Sequence, residues 1–235
     1  MNTPLFYIEP AEAVHPEIRM NEENSRHIVT VLRMRRGERL RLTDGRGNLV
    51  DGELASDHKK HCQVRVLARR SLPAEPLRIT LAVSLIKNVH RFEWLLEKVT
   101  ELGVSVIQPL LCARTERTQF RPDRMKGILV SAMLQSQQCW LPELREPAAL
   151  ESVIRSADQE QKFIAHCLDG EKRSLPDLVN GSLPTKIILV GPEGDFTAGE
   201  VDLAVRHHFL PVTLGETRLR AETAGMVAAV LLRHV

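Results

Sequence analysis

Lys186-Ile187-Ile188-Leu189-Val190-Gly191-Pro192-Glu193-Gly194-Asp195-Phe196-Thr197-Ala198-Gly199-Glu200 holds a complete strand-to-helix step. A short apolar run that stops at turn residues reads as a buried strand. Gly191 and Gly194 bracket Pro192 in a stiff loop whose backbone can turn sharply or approach a ligand. Thr197 and Glu200 then form an S/T-x-x-E capping box, in which hydroxyl and carboxylate satisfy free N–H groups at a helix start. A helix is predicted from Ala198 to His207.

Outward from this step the same texture repeats. Leu77 to Ile86 is an apolar run, and Arg91 to Leu102 keeps Phe92, Leu95, Leu96, Val99 and Leu102 at helical spacing before Gly103 supplies a stop. Strands are predicted over Val104–Leu111, Lys162–His166 and Val212–Leu214, with a helix from Pro122 to Gln138. The last helix, Ala221 to Val235, is almost wholly apolar and rich in small residues, so it is expected to be buried by the sheet or by a second subunit. This alternation implies an α/β domain with a mostly parallel sheet covered on both faces.

The first third reads differently. Arg39-Leu40-Arg41-Leu42-Thr43 alternates and runs into Asp44-Gly45, and Asn48-Leu49-Val50 and Gln63-Val64-Arg65-Val66 are further short strands. Glycines at 45, 47 and 52 between them point to a small antiparallel barrel. Ser71-Leu72-Pro73-Ala74-Glu75-Pro76 breaks this pattern, dividing the chain into domains 1–72 and 73–235. The net charge is only +2, yet Arg26, Arg33, Arg35, Arg36, Arg39, Arg41 and Arg46 face only Glu38 and Asp44 within 21 residues. Such a window suits phosphate tracking, with a solvated strand face as the alternative.

Of the 235 residues, 43% are hydrophobic and 26% charged, which supports a real core and excludes a disordered chain. No run approaches the roughly 18 apolar residues of a spanning helix, and Met1-Asn2-Thr3-Pro4 lacks a signal pattern. A cytoplasmic protein without membrane attachment is expected. Cys62, Cys112, Cys139 and Cys167 lie far apart with no metal-ligand spacing, so they are expected to be reduced and buried, with no metal.

A second loop, Leu214-Gly215-Glu216-Thr217-Arg218-Leu219-Arg220-Ala221-Glu222-Thr223-Ala224, sets charged and hydroxyl residues directly before the apolar helix. Both loops follow strands, where ligands of open α/β sheets bind. Taken singly, each also suits a plain connection, with Glu222 and Thr223 as ordinary first-turn residues. Neither matches G-x-G-x-x-G or the P-loop pattern.

Together, the pair I-L-V-G-P-E-G-D-F and L-G-x-x-R-L-R-A-E-T-A resembles the ribosomal RNA small-subunit methyltransferase E family of the SPOUT superfamily. Arg91 to Val104, Leu111 to Arg117 and Arg26 to Met34 extend the resemblance over nearly the whole chain. Asp195 stands where many members have glycine, and Ser131 to Trp140 lacks their E-Q-x-x-R pattern. The resemblance implies a PUA-like RNA-binding barrel followed by a deeply knotted SPOUT domain. It also implies a homodimer that transfers a methyl group from S-adenosylmethionine to N3 of a uridine in 16S rRNA, on the small ribosomal subunit.

Under that resemblance, Leu189, Gly191, Pro192, Glu193, Gly194, Leu214, Gly215, Leu219, Thr223 and Ala224 are the expected cofactor contacts. Arg26, Arg33, Arg35 and Arg36 are the expected RNA contacts. A weakly acidic N3–H needs a base or a cation that stabilises the anion, and Glu222 and Arg220 are the candidates. Glu193 is the alternative base, and Arg220 paired with Glu222 the alternative to catalysis. Aromatics make up 4% of the chain, which favours phosphate and shape recognition over extensive stacking. Rival readings are a SPOUT enzyme acting on tRNA ribose and a non-catalytic RNA-binding or assembly factor. A nicotinamide oxidoreductase lacks its glycine fingerprint here.

Overall fold

The computed structural model describes residues 3–234 and divides into two compact units, Met1–Ala74 with Met133–Leu141, and Glu75–Ala132 with Pro142–Val235. The first unit holds β1 (Leu5–Tyr7), β2 (Glu17–Arg19), α1 (Glu22–Arg26), a π-helical turn at His27–Val31, β3 (Arg39–Thr43), β4 (Asn48–Ser56) and β5 (Gln63–Ser71). The sheet order is β1-β3-β4-β5-β2, antiparallel throughout except for the parallel β1–β3 pair. Alternation in β3 places Leu40 and Leu42 inward, against Ile18, Met20, Ile28, Leu54 and Val64. The helical segment has a local cause that the strand pattern hides: Asn21 Oδ1 accepts from Asn24 N at 2.8 Å and caps α1.

Residues 133–141 return to this unit and clamp the β3–β4 turn. Gly47 N donates to Cys139 O at 2.8 Å and Leu141 N to Gly45 O at 2.8 Å. Gly47 has φ +82, and a Cβ there would meet Trp140 Cζ2 at 2.4 Å and Leu72 O at 2.6 Å, so only glycine fits.

The second unit holds β6 (Arg78–Ser84), α2 (Val89–Glu101), β7 (Val106–Leu111), α3 (Pro122–Gln135, whose end enters the first unit), β8 (Glu143–Leu144), β9 (Ala148–Ala149) and α4 (Leu150–Ser156). It continues with β10 (Gln161–Ala165), β11 (Arg173–Ser174), β12 (Thr185–Val190), α5 (Ala198–Arg206), β13 (Leu210–Thr213) and α6 (Ala221–His234). Every strand pair is parallel, in the order β11-β13-β10-β12-β6-β7-β8, with β9 also on β7.

Helices cover both faces, as the apolar strands require. Ala82, Ile164, Ile187 and Leu189 pack with Leu150, Ile154, Val201 and Ala204 of α4 and α5. On the opposite face Lys186, 1% exposed, donates from Nζ to the Leu232 carbonyl at 3.0 Å and caps the end of α6. Gly225 lets α6 lie against α2, since a Cβ there would stand 3.0 Å from Leu95 Cδ1. The cysteines are free, but only Cys62 and Cys139 are buried. Cys112 is half-buried, its thiol pushed up to about 12 chiefly by burial. Cys167 is exposed because it lies in the loop beyond β10, not in the strand.

Candidate active site

The sheet order sets β10 between β12 and β13, so the loops leaving their C-terminal ends lie side by side, the usual ligand position in open parallel sheets. The β12–α5 loop is fastened from several directions. Asp195 N donates to Pro192 O at 2.9 Å, and Asp195 takes φ +64. That conformation suits glycine and is tolerated by aspartate, which accounts for the residue difference noted in the sequence. Its carboxylate also accepts from Phe196 N and from Cys167 N, both at 2.8 Å, tying the β10 loop to the β12 loop.

Two further loops join this edge. Arg114 Nη1 donates to Gly194 O at 2.7 Å, and Glu193 Oε1 accepts from Lys87 N at 3.0 Å. The capping box forms as read: Thr197 Oγ1 accepts from Glu200 N at 3.2 Å and Glu200 Oε2 from Thr197 N at 2.7 Å. The other oxygen, Glu200 Oε1, accepts from Ala113 N at 2.7 Å, so one carboxylate starts a helix and holds a neighbouring loop. In the β13–α6 loop, Thr213 Oγ1 donates to Gly215 O at 2.7 Å, and Gly215 takes φ +143.

These loops enclose a cavity of about 560 Å³, within the range of small-molecule sites. Gly191, Pro192, Glu193, Leu214, Gly215, Leu219 and Ala224, named in the sequence as cofactor contacts, line it, as does Arg220, named there as catalytic. Leu189 instead lies in the core under α5, and the missing Cβ of Gly194 faces Arg114. A valine at 194 therefore strains the Arg114 side chain first, rather than filling the cavity. Thr223 and Glu222 line a second, smaller cavity of about 300 Å³ with His90, Arg91 and Trp94.

Arg91 lines both cavities. Its Nε lies 3.6 Å from Glu222 Oε1, so the ion-pair partner of Glu222 is Arg91 and not Arg220. Glu222 is 7% exposed and its Oε2 is buried without a hydrogen-bond partner. His166 lines the larger cavity, with both ring nitrogens shielded and unpartnered. Burial pushes its pKa down, Lys172 pushes it further, and Asp195 opposes them. Lys172 Nζ is held by Leu168 O at 2.6 Å and His166 O at 3.3 Å.

His166, Cys167, Lys172 and Arg91 were not among the expected site residues. His166 and Cys167 end a strand whose place in the sheet a linear pattern does not give. In the first unit Arg26, Arg33, Arg35 and Arg36 are all exposed, Arg33 at φ +57, beside exposed Val31 and Leu32. Among the described residues no group of three His, Cys, Asp or Glu is placed to share a metal ion, and no helix is long and apolar enough to cross a membrane.

Comparison with known proteins agrees with this architecture. Residues 73–233 match the family described as the RNA methyltransferase domain, and residues 21–67 the RNA methyltransferase PUA domain. The ribosomal RNA small subunit methyltransferase E of Synechocystis is 30% identical over 230 residues, covering 94% of this chain and 74% of the relative. A crystal structure of a Porphyromonas gingivalis protein described as a probable rRNA-methyltransferase superposes with TM-score 0.89 at 36% identity, covering 98% of both chains. The Neisseria gonorrhoeae ribosomal RNA small subunit methyltransferase E, solved bound to S-adenosyl methionine, superposes with TM-score 0.84 at 28% identity over 97% of this chain and 96% of that one. With both domains matched and the likeness running almost end to end, the chain belongs to the ribosomal RNA small-subunit methyltransferase E family.

Proposed function

We propose that the protein methylates N3 of a uridine in 16S rRNA, with S-adenosylmethionine as methyl donor, acting as a cytoplasmic homodimer on the assembled small ribosomal subunit. Residues 1–72 grip RNA and residues 73–235 hold the donor. One observation carries this reading: a cavity built from the β10, β12 and β13 loops shares Arg91 with a smaller cavity that holds a buried carboxylate with an open acceptor oxygen.

The larger cavity fits the donor. Val190, Val212, Leu214, Leu219 and Ala224 offer apolar surface for an adenine, and Glu193, Asp195 and Glu216 offer negative charge for an ammonium or sulfonium group. The unpartnered nitrogens of His166 await a polar ligand. Gly215 keeps the wall low, since nothing lies within 4 Å of where its Cβ would stand. When bound, the donor supplies a methyl carbon activated by positive sulfur. The chain's own residues orient the acceptor and manage its proton. Glu222 Oε2 receives the N3 proton, and Arg220 and Arg91 stand where negative charge grows on the uracil oxygens. Glu193 is the weaker candidate base, being exposed and already bonded to Lys87 N.

The half-exposed apolar residues Met226, Val227 and Val230 of α6 support pairing with a second copy. The deciding measurement is transfer of labelled methyl to undermethylated small subunits and to free rRNA, followed by nucleoside analysis. N3-methyluridine formed mainly on subunits is expected. Label on another nucleoside moves the target, and no label on any RNA removes the reaction. Arg220→Ala is expected to lower turnover at least about a hundredfold while leaving donor binding measurable by calorimetry.

A further inference from the structure

We infer that the smaller cavity, between the first turns of α2 and α6, is the seat of the acceptor base, with Trp94 as its stacking wall and Arg91 as a second edge-reading residue. This rests on the reaction proposed above, adds Trp94, which that reaction does not use, and gives Arg91 a second task in reading the base.

Three observations converge. Trp94 is 40% exposed, whereas Phe92, Phe163, Phe196 and Phe209 of the same unit are each 2% exposed or less. An indole left open beside a cavity that also holds a carboxylate offers a flat face, and every base has a π face to lay on one. Glu222 is 93% buried, and its Oε2 has no hydrogen-bond partner. A desolvated carboxylate oxygen without a donor is costly, and a ligand that brings an N–H removes that cost. Arg91, on the same turn as Trp94, sets guanidinium donors 3.6 Å from the other carboxylate oxygen.

An acceptor with a cationic donor beside it complements one side of an imide edge, where an N–H adjoins a carbonyl. Uracil has that edge and is a single ring compatible with a cavity of about 300 Å³. Cytosine offers a bare nitrogen at the same position. His90 Nδ1, 3.4 Å from Glu93 Oε2, stands at the cavity's rim and is left to the flanking backbone.

The Trp140→Phe chain keeps Trp94 as its only tryptophan, so its fluorescence reports this wall directly. Titration with uridine 5′-monophosphate is expected to quench it saturably, and N3-methyluridine 5′-monophosphate, which lacks the N–H, to bind at least about tenfold more weakly. In methyl transfer, Trp94→Ala is expected to raise KM for RNA roughly tenfold with donor affinity unchanged, and Trp94→Phe to restore most of it. No quenching by the nucleotide, or a wild-type KM in Trp94→Ala, overturns the base site while leaving the methyltransferase reading intact. Loss of dimer in Trp94→Ala with unchanged nucleotide binding also overturns it, assigning the face to a second copy of the chain. Quenching by the nucleotide in a protein that methylates no RNA sustains the site and sinks the reaction instead.

Discussion

Asp195 combines a left-handed backbone with two hydrogen bonds from neighbouring N–H groups, and the balance between them is measurable. Asp195→Ala keeps the backbone strain and loses both bonds, so it is expected to cost about 2–4 kcal/mol in urea denaturation. Asp195→Gly removes the strain and should cost less than the alanine variant. Equal losses would mean that the left-handed backbone stores little strain and that the cost lies in the lost hydrogen bonds. His166 gives a pH signature. Its ordinary value is 6.5, and burial, then Lys172, lower it in the folded state. Between the folded and unfolded values the unfolded chain binds more protons, so stability falls as pH drops below 6.5, until the depressed folded value is passed. The difference in Tm between wild type and His166→Gln is therefore expected to change below that pH and stay flat above it.

Among elements, α5 shows what was legible in the sequence and why. Its start was readable because Thr197 and Glu200 act within one turn, and the structure forms that box. The other oxygen of Glu200, bonded to Ala113 N, was not readable, because the two residues are 87 apart and meet only through sheet order. Glu200→Gln keeps part of the cap but loses charge on both bonds. It is expected to cost about 1–2 kcal/mol and to speed amide exchange at Ala113, while Thr197→Ala costs about 1 kcal/mol without affecting Ala113. Unchanged exchange at Ala113 in Glu200→Gln would separate the two roles. The same limit explains His166: alternation of strands and helices predicts a parallel sheet, but not that β10 lies between β12 and β13. The loops at 191–196 and 214–224 were legible because their glycines and charges are local. The return of residues 133–141 to the first unit has no local mark beyond the glycines that receive it.

For the whole molecule, RNA affinity is expected to be strongly salt-dependent. Replacing Arg33, Arg35 and Arg36 by alanine should flatten the plot of log affinity against log salt by about one unit for each phosphate that is no longer neutralised. An unchanged slope would return that window to the solvated-face reading. The strand order has a further consequence, for synthesis. The centre of the large sheet joins Arg78 to Thr185, 107 residues apart (185 − 78), and β10 waits for β13 at Leu210–Thr213. Pairings so distant in sequence close slowly and cannot be rehearsed by a partial chain. The first unit likewise waits for residues 133–141 to complete the clamp on its β3–β4 turn. While the chain is being made, its long apolar strands lack their partners and are exposed to aggregation. The cavity loops follow β10, β12 and β13, so the donor site cannot form until the stretch Leu214 to Ala224 has been made.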